Sequence, residues 1–401
     1  MISKIIDKLK HKVCHVINLC AFHVFKLFPI KTNTIILESE GDLCDNAYAL
    51  YDYMISNNYD KKYEIIWLVD HIEKYSGNKF LSKNVYNLNL RLMYYLAVSK
   101  YYIYDHNNLL MYMKKRKEQN IVYLSHGFGF KKGTLKNKDK IKTEFDIMIV
   151  TGDLPAKGNS LFWQSDINKV QRLGYPRLDY FFKNNDESLR TLDKAIHIND
   201  YGLKVLWMPT FRQSINKDLS QDYIDNETGL PILNTKDSIE EFNNYLKQNN
   251  ILFILKLHHL QSELEVFKSN FSNILILRDE DLTKLNIQLY QFVSLTDALI
   301  TDYSSISVDY LLLDRPIIYT LDDYDQYNST RGIYPENAID YMPGYHVYSL
   351  NELIESIDEI NSGIDKYKES RKKVLPVFFT HQDGNSSKRI LEYLNITKEE
   401  L

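Results

Sequence analysis

Cysteine is scarce in this chain. Three thiols in 401 residues, Cys14, Cys20 and Cys44, form neither a C-x-x-C pair nor an even framework. That argues against a disulfide scaffold or a structural zinc site and predicts a reducing compartment. An excess of charge of one sign is missing too. Lys and Arg number 49 against 53 Asp and Glu, a net charge of −4, so no global basic field points to nucleic acid as a partner. No run of about 18 uncharged apolar residues occurs, so no segment is expected to span a bilayer. Internal repeats and low-complexity tracts are missing as well. What is present is a 44% apolar composition, that of a globular chain with a real core and enough length for two domains.

The first 28 residues carry apolar side chains at helical spacing, Ile2, Ile6, Leu9, Val13, Val16 and Cys20 among them, up to a stop at Pro29. Lys4, Lys8, Lys10, Lys12 and Lys26 stand against the single acid Asp7. Charges inside the apolar stretch exclude a signal peptide. Two readings remain open: a basic amphipathic helix lying on an anionic membrane surface, or a helix packed on its own domain.

Beyond Pro29, short β-branched or aromatic runs alternate with helical text. TIILES (34–39), EIIWLVD (64–70), YYIYD (101–105), IVYLSHG (121–127) and IMIVTG (147–152) form one series. KVLWMPTF (204–211), ILFILKLHH (251–259), NILILRD (273–279), ALITDYSS (298–305) and PIIYTLD (316–322) form a second. The polar stretch between them suits a crossing helix. Such alternation predicts two doubly wound parallel sheets, two Rossmann-like halves facing each other across a cleft. Ligands of these folds bind outside the carboxyl ends of the strands.

Chemistry-bearing residues cluster at those ends. SHGFGFKKG puts His126 after a strand as a general base or a turn cap, with Gly127 and Gly129 permitting close backbone approach. Arg212 follows another strand, placed to clamp a phosphate or pair with a carboxylate. His258 and His259 end a third, where neighbours point opposite ways and at most one faces a ligand. Asp279 and Asp281 resemble a metal-binding acid pair, but Asp281 reads better as a helix N-cap. In ITDYSSISVDY, Thr301, Ser304 and Ser305 bring hydroxyls to a turn entering a helix, suited to phosphate or to capping. Asp383-Gly384 repeats the theme before Ser386, Ser387 and Arg389.

Taken in order, LSHG, LGYPRLD (173–179), MPTFR (208–212), LKLH (255–258), SLTDALITDYSSISVDY (294–310), RGIY (331–334) and DGNSSKR (383–389) resemble the CDP-glycerol and CDP-ribitol phosphotransferases of teichoic acid and capsular polymer synthesis. The resemblance covers residues from about 34 to the end and departs from the family pattern at Phe128–Lys131, at the second His of LKLHH and at Leu178. It implies a GT-B-like α/β fold. Residues 1–30 would be the amphipathic membrane-contact helix, 31–195 the acceptor domain and 196–401 the CDP-polyol donor domain, with a last helix crossing back.

The implied reaction moves a polyol phosphate to an acceptor hydroxyl and releases CMP, with no metal or other cofactor. His126 and His258 are the implied catalytic residues. Arg177, Arg212, Thr301, Asp302, Ser304, Ser305 and Asp383 are the implied donor- and phosphate-binding set. The implied partners are CDP-glycerol or CDP-ribitol, a lipid-linked saccharide or polymer acceptor, and the cytoplasmic face of a bacterial membrane, held peripherally. A GT-B sugar transferase using a nucleotide sugar, and a non-catalytic scaffold, are the competing readings.

Overall fold

A computed structural model describes residues 2–106, 114–132, 145–210, 226–257 and 264–398. The first series of strands forms one sheet: β1 (Lys31–Glu38), β2 (Glu64–Val69), β3 (Phe80–Ser82), β4 (Ser99–Tyr104), β5 (Asn120–Tyr123), β6 (Ile147–Val150) and β7 (Val170–Arg172). The second forms another: β8 (Leu203–Trp207), β9 (Ile251–Lys256), β10 (Ile274–Leu277), β11 (Ala298–Thr301), β12 (Ile317–Thr320) and β13 (Tyr345–Val347). Strand order is β3-β2-β1-β4-β5-β6-β7 in the first sheet and β10-β9-β8-β11-β12-β13 in the second. Every described ladder is parallel. Each sheet therefore has a switch point, between β1 and β4 and between β8 and β11, where adjacent loops part to opposite sides.

The strands are apolar almost throughout because helices cover both faces. Ile35, Leu37, Trp67 and Ile103 pack into one face of the first sheet, while Ile36, Leu68, Tyr102 and Tyr104 pack into the other, the period-two alternation of a strand. Each aliphatic side chain among them contributes roughly 1.5–3 kcal/mol on burial. Three strands, β3, β7 and β13, escape the sequence reading. At three residues each, they are too short to show a period.

The polar stretch between the two series holds helix Asp186–Ile196. The last helix, Ser386–Tyr393, returns to the first sheet, where Ile390, Leu391 and Leu394 join its core and Tyr101 Oη donates to Leu394 O at 3.1 Å.

The N-terminal helix α1 (Ile2–Phe25) packs against a helix further along, Leu90–Val98. Asn18 fixes it, donating to Val85 O (2.9 Å) and Asn87 O (2.7 Å) and accepting the Asn89 N–H (2.9 Å). Phe22, four residues on along the same face, is fully buried. On the opposite side Ile6, Leu9, Val13, Val16 and Val24 are 55–59% exposed. The helix thus has two apolar faces, one on its own domain and one facing solvent. Among the described residues no helix is long and apolar enough to cross a membrane.

Candidate active site

β4 and β5 run side by side with Tyr104 opposite Tyr123, so the residues following them emerge together. They are Asp105-His106 and Ser125-His126. The two imidazoles stack with centroids 4.8 Å apart and planes 20° from parallel. His106 Nδ1 lies 2.9 Å from Asp105 Oδ1, and its Nε2 lies 3.2 Å from Glu40 Oε2. Asp105 is wholly buried and also accepts the Ala47 N–H at 3.0 Å.

His126 Nδ1 lies 3.1 Å from Tyr123 Oη, and the residue lies at the surface with one ring face against His106. The loop is fixed from behind: Ser125 has a left-handed backbone (φ +60°), and its carbonyl accepts from Asn46 Nδ2 at 2.7 Å. Loss of hydration among crowding protein atoms, followed by the nearby His106, Arg177 and Lys131, lowers the His126 pKa to about 4, against the pull of Asp45. Burial also works against a His106 cation, but Asp105, Asp45 and Glu40 outweigh it and raise that pKa.

The histidine loop continues into the second domain. Gly127 has φ +123°, and a Cβ there would stand 2.8 Å from Ser305 Cβ and 2.9 Å from Arg177 Nη2. A Cβ on Gly129 would stand 2.8 Å from the Tyr303 carbonyl, and the next residue, Phe130, donates its N–H to that carbonyl at 3.0 Å. The loop after β5 and the turn after β11 are therefore in direct backbone contact, which only glycine permits.

Within that turn the polar groups divide. Thr301 is buried and donates to Met208 O at 2.8 Å. Asp302 is buried too, accepting the Thr210 N–H (2.8 Å), the Thr210 hydroxyl (2.5 Å) and the Ser304 N–H (3.2 Å). These two brace the loop after β8. Ser304 and Ser305 remain half-buried at the seam. The helix they enter is one turn, Ile306–Asp309, passing into a 3-10 segment, so its dipole is short.

Arg177 is enclosed rather than open. Its Nη1 lies 2.7 Å from Asp45 and its Nη2 2.7 Å from Asp309, with the guanidinium over the Tyr290 ring at 4.6 Å. It clasps the two domains together. Asp383 sits apart with Arg389, whose Nη1 reaches both its oxygens at 2.7 and 2.8 Å. Partial desolvation opposes ionisation there, yet Arg389 and the Asn385 N–H hold the Asp383 carboxyl below the ordinary range. Asp281 lies at the third helical position, accepting the Arg278 N–H at 2.9 Å, rather than at the N-cap. Arg212, His258 and His259 lie outside the described residues.

The structure thus gathers His126, Arg177 and Ser305 at one place and pairs Asp383 with Arg389. It adds Asp105, His106, Asp45 and Tyr123, which the sequence reading passed over. The signal was there in the shared ending of YYIYDH and IVYLSH. Asp45, Asp105 and His106 are the one described trio close enough to share a cation, but Arg177, the Ala47 N–H and Glu40 already engage them.

Two doubly wound sheets whose strand-end loops meet at a seam, with a histidine on one side and hydroxyls on the other, define a GT-B-like fold. The chain belongs to the CDP-glycerol:poly(glycerophosphate) glycerophosphotransferase family, whose model matches residues 20–395. It is 26% identical to a teichoic acid poly(ribitol-phosphate) polymerase of Bacillus spizizenii over 99% of this chain, but spans only 61% of that relative's length. It is 25% identical to a teichoic acid poly(glycerol phosphate) polymerase of the same organism, over 98% of this chain and 100% of the relative. The fold is similar to that of the wall teichoic acid polymerase TagF, with a TM-score of 0.74 at 20% identity over 99% of this chain and 98% of that one.

Proposed function

We propose that this protein transfers a glycerol or ribitol phosphate from its CDP-activated form to a hydroxyl of a lipid-linked or polymeric acceptor in teichoic acid or related polymer synthesis, releasing CMP. The observation that carries this reading is His126, whose Nδ1 is tied to Tyr123 while the loop it begins touches the Ser304–Ser305 turn.

In the proposed step the acceptor oxygen attacks the phosphorus that bears the polyol. A new P–O bond forms, the pyrophosphate P–O bond breaks, and CMP leaves with the electron pair. His126 Nε2 takes the acceptor proton, which requires Nδ1 to carry its hydrogen and donate it to Tyr123 Oη. A neutral imidazole at pH 7 is the form that can do so. The Ser304 and Ser305 hydroxyls, with Arg212 and His258, hold the phosphate oxygens and take up the charge that develops on them, with no resident metal. Thr301 and Asp302 keep that turn in place. Asp383 and Arg177 act on the architecture.

The protein works at the cytoplasmic face of the membrane, held by the solvent-facing apolar stripe of α1 with the exposed Lys8, Lys10 and Lys12 beside it. One family relative carries ribitol and another glycerol in its name at near-equal identity, so both donors belong in the test.

The test is CMP release by purified protein from each CDP-polyol, with membranes as acceptor and EDTA present. Acceptor-dependent release that survives EDTA and is lost in His126→Ala supports the assignment. Wild-type turnover of His126→Ala at saturating substrates would remove His126 as the base. Silence with both donors in folded protein would remove the donor class.

A further inference from the structure

The Asp105–His106 pair has no part in the step above, yet it is built with care. Asp105 lies in the core at the end of β4, with one oxygen on the Ala47 N–H and the other on His106 Nδ1. Glu40, exposed on the other side, meets His106 Nε2 at 3.2 Å. Both ring nitrogens of His106 therefore face carboxylates, a setting that suits the doubly protonated ring and fixes its plane. One face of its ring is stacked on His126.

We propose that His106 is a positioning residue for His126: clamped between Asp105 and Glu40, it lies as a cation flat against the His126 ring, orienting it and keeping it neutral. This rests on the reading of His126 as the base. Two cations at a 4.8 Å ring separation repel, so a charged His106 disfavours a proton on His126. The other groups around His126 are Tyr123 from β5, Asp45 from the helix after β1, Arg177 from the domain clasp and Lys131 from its own loop. Asp45 favours a proton there, and Arg177 and Lys131 oppose it. Of the opposing charges, His106 alone stacks on the ring. Loss of hydration is the larger cause of the lowered proton affinity of His126, and His106 comes first among the charges that lower it.

The sign of the effect is fixed. Activity through a neutral His126 persists as pH falls until that ring is protonated. Removing the neighbouring cation raises the His126 pKa, so activity is lost at a higher pH.

The experiment is NMR titration of the His126 ring in full-length protein carrying labelled histidine, alongside the pH profile of kcat/KM. His106→Phe keeps an aromatic face and removes the charge. It is expected to move the His126 titration upward by about one pH unit, with the acidic limb of kcat/KM following. Glu40→Gln, a surface change, loosens only one anchor and is expected to give a smaller shift in the same direction. That variant decides the matter if His106→Phe fails to fold. An unchanged His126 titration in a folded variant overturns the proposal, whatever happens to the rate. A moved titration with an unmoved rate limb keeps the His106 coupling and removes His126 as the base. A purely structural role for His106 would lower kcat/KM at every pH and leave the limb in place.

Discussion

Asp179 Oδ1 accepts the backbone N–H of Ser386 at 2.8 Å, 207 residues along the chain, and its Oδ2 accepts that of Ser387 at 2.9 Å. One buried carboxylate thereby caps the last helix and seats it on the first domain. The GYPRLD and DGNSSKR motifs are the two halves of that single joint.

Asp179→Ala leaves two buried N–H groups without acceptors. It is expected to cost about 2–3 kcal/mol. Asp179→Asn, which keeps one acceptor, should cost less. Urea denaturation followed by fluorescence checks this, and a midpoint equal to wild type would show that the cap is dispensable.

The Arg177 clasp makes an opposite kind of prediction from a phosphate contact. Arg177→Met strands Asp45 and Asp309 and should destabilise by about 3–5 kcal/mol. Adding Asp309→Leu to it should restore part of that loss, because an apolar pair tolerates the site. A variant with wild-type melting temperature but weakened donor binding would instead return Arg177 to the phosphate site.

Much of this was legible beforehand because parallel strands covered on both faces are written as apolar runs. TIILE and ALIT announce themselves, and their ends give the site. The joints were not legible. Arg177 and Asp383 stand in motifs beside strand-end loops, and nothing in their sequence context shows which carboxylate or guanidinium each one meets. That depends on which residues fold against them, Asp45 and Asp309 for one and Arg389 for the other. His106 was hidden for a related reason. A histidine gains meaning from the ring it stacks on, and that ring is 20 residues away on the neighbouring strand.

Gly129→Ala tests the contact between the loops. Its Cβ would meet the Tyr303 carbonyl at 2.8 Å and push the histidine loop off the serine turn. CMP release should fall about ten- to a hundredfold, since small misplacements of reacting groups are costly. Gly202→Ala is the control, with nothing nearer than 3.8 Å to its Cβ. If the two variants turn over alike, close approach at Gly129 is not needed for the reaction.

The two faces of α1 separate membrane contact from folding. Val13 and Val16 are exposed, so Val13→Asp with Val16→Asp should change stability by no more than about 0.5 kcal/mol per site. The same pair should abolish sedimentation with vesicles containing anionic lipid, because it puts negative charge on the stripe proposed to meet the surface. Wild-type binding should weaken as salt rises, since Lys8, Lys10 and Lys12 supply its electrostatic part. Asn18→Ala does the reverse. It removes the bonds to Val85 and Asn87 and loosens the helix from its domain while leaving the stripe intact. Equal sedimentation of wild type and the double aspartate variant would show that the exposed stripe does not face the membrane.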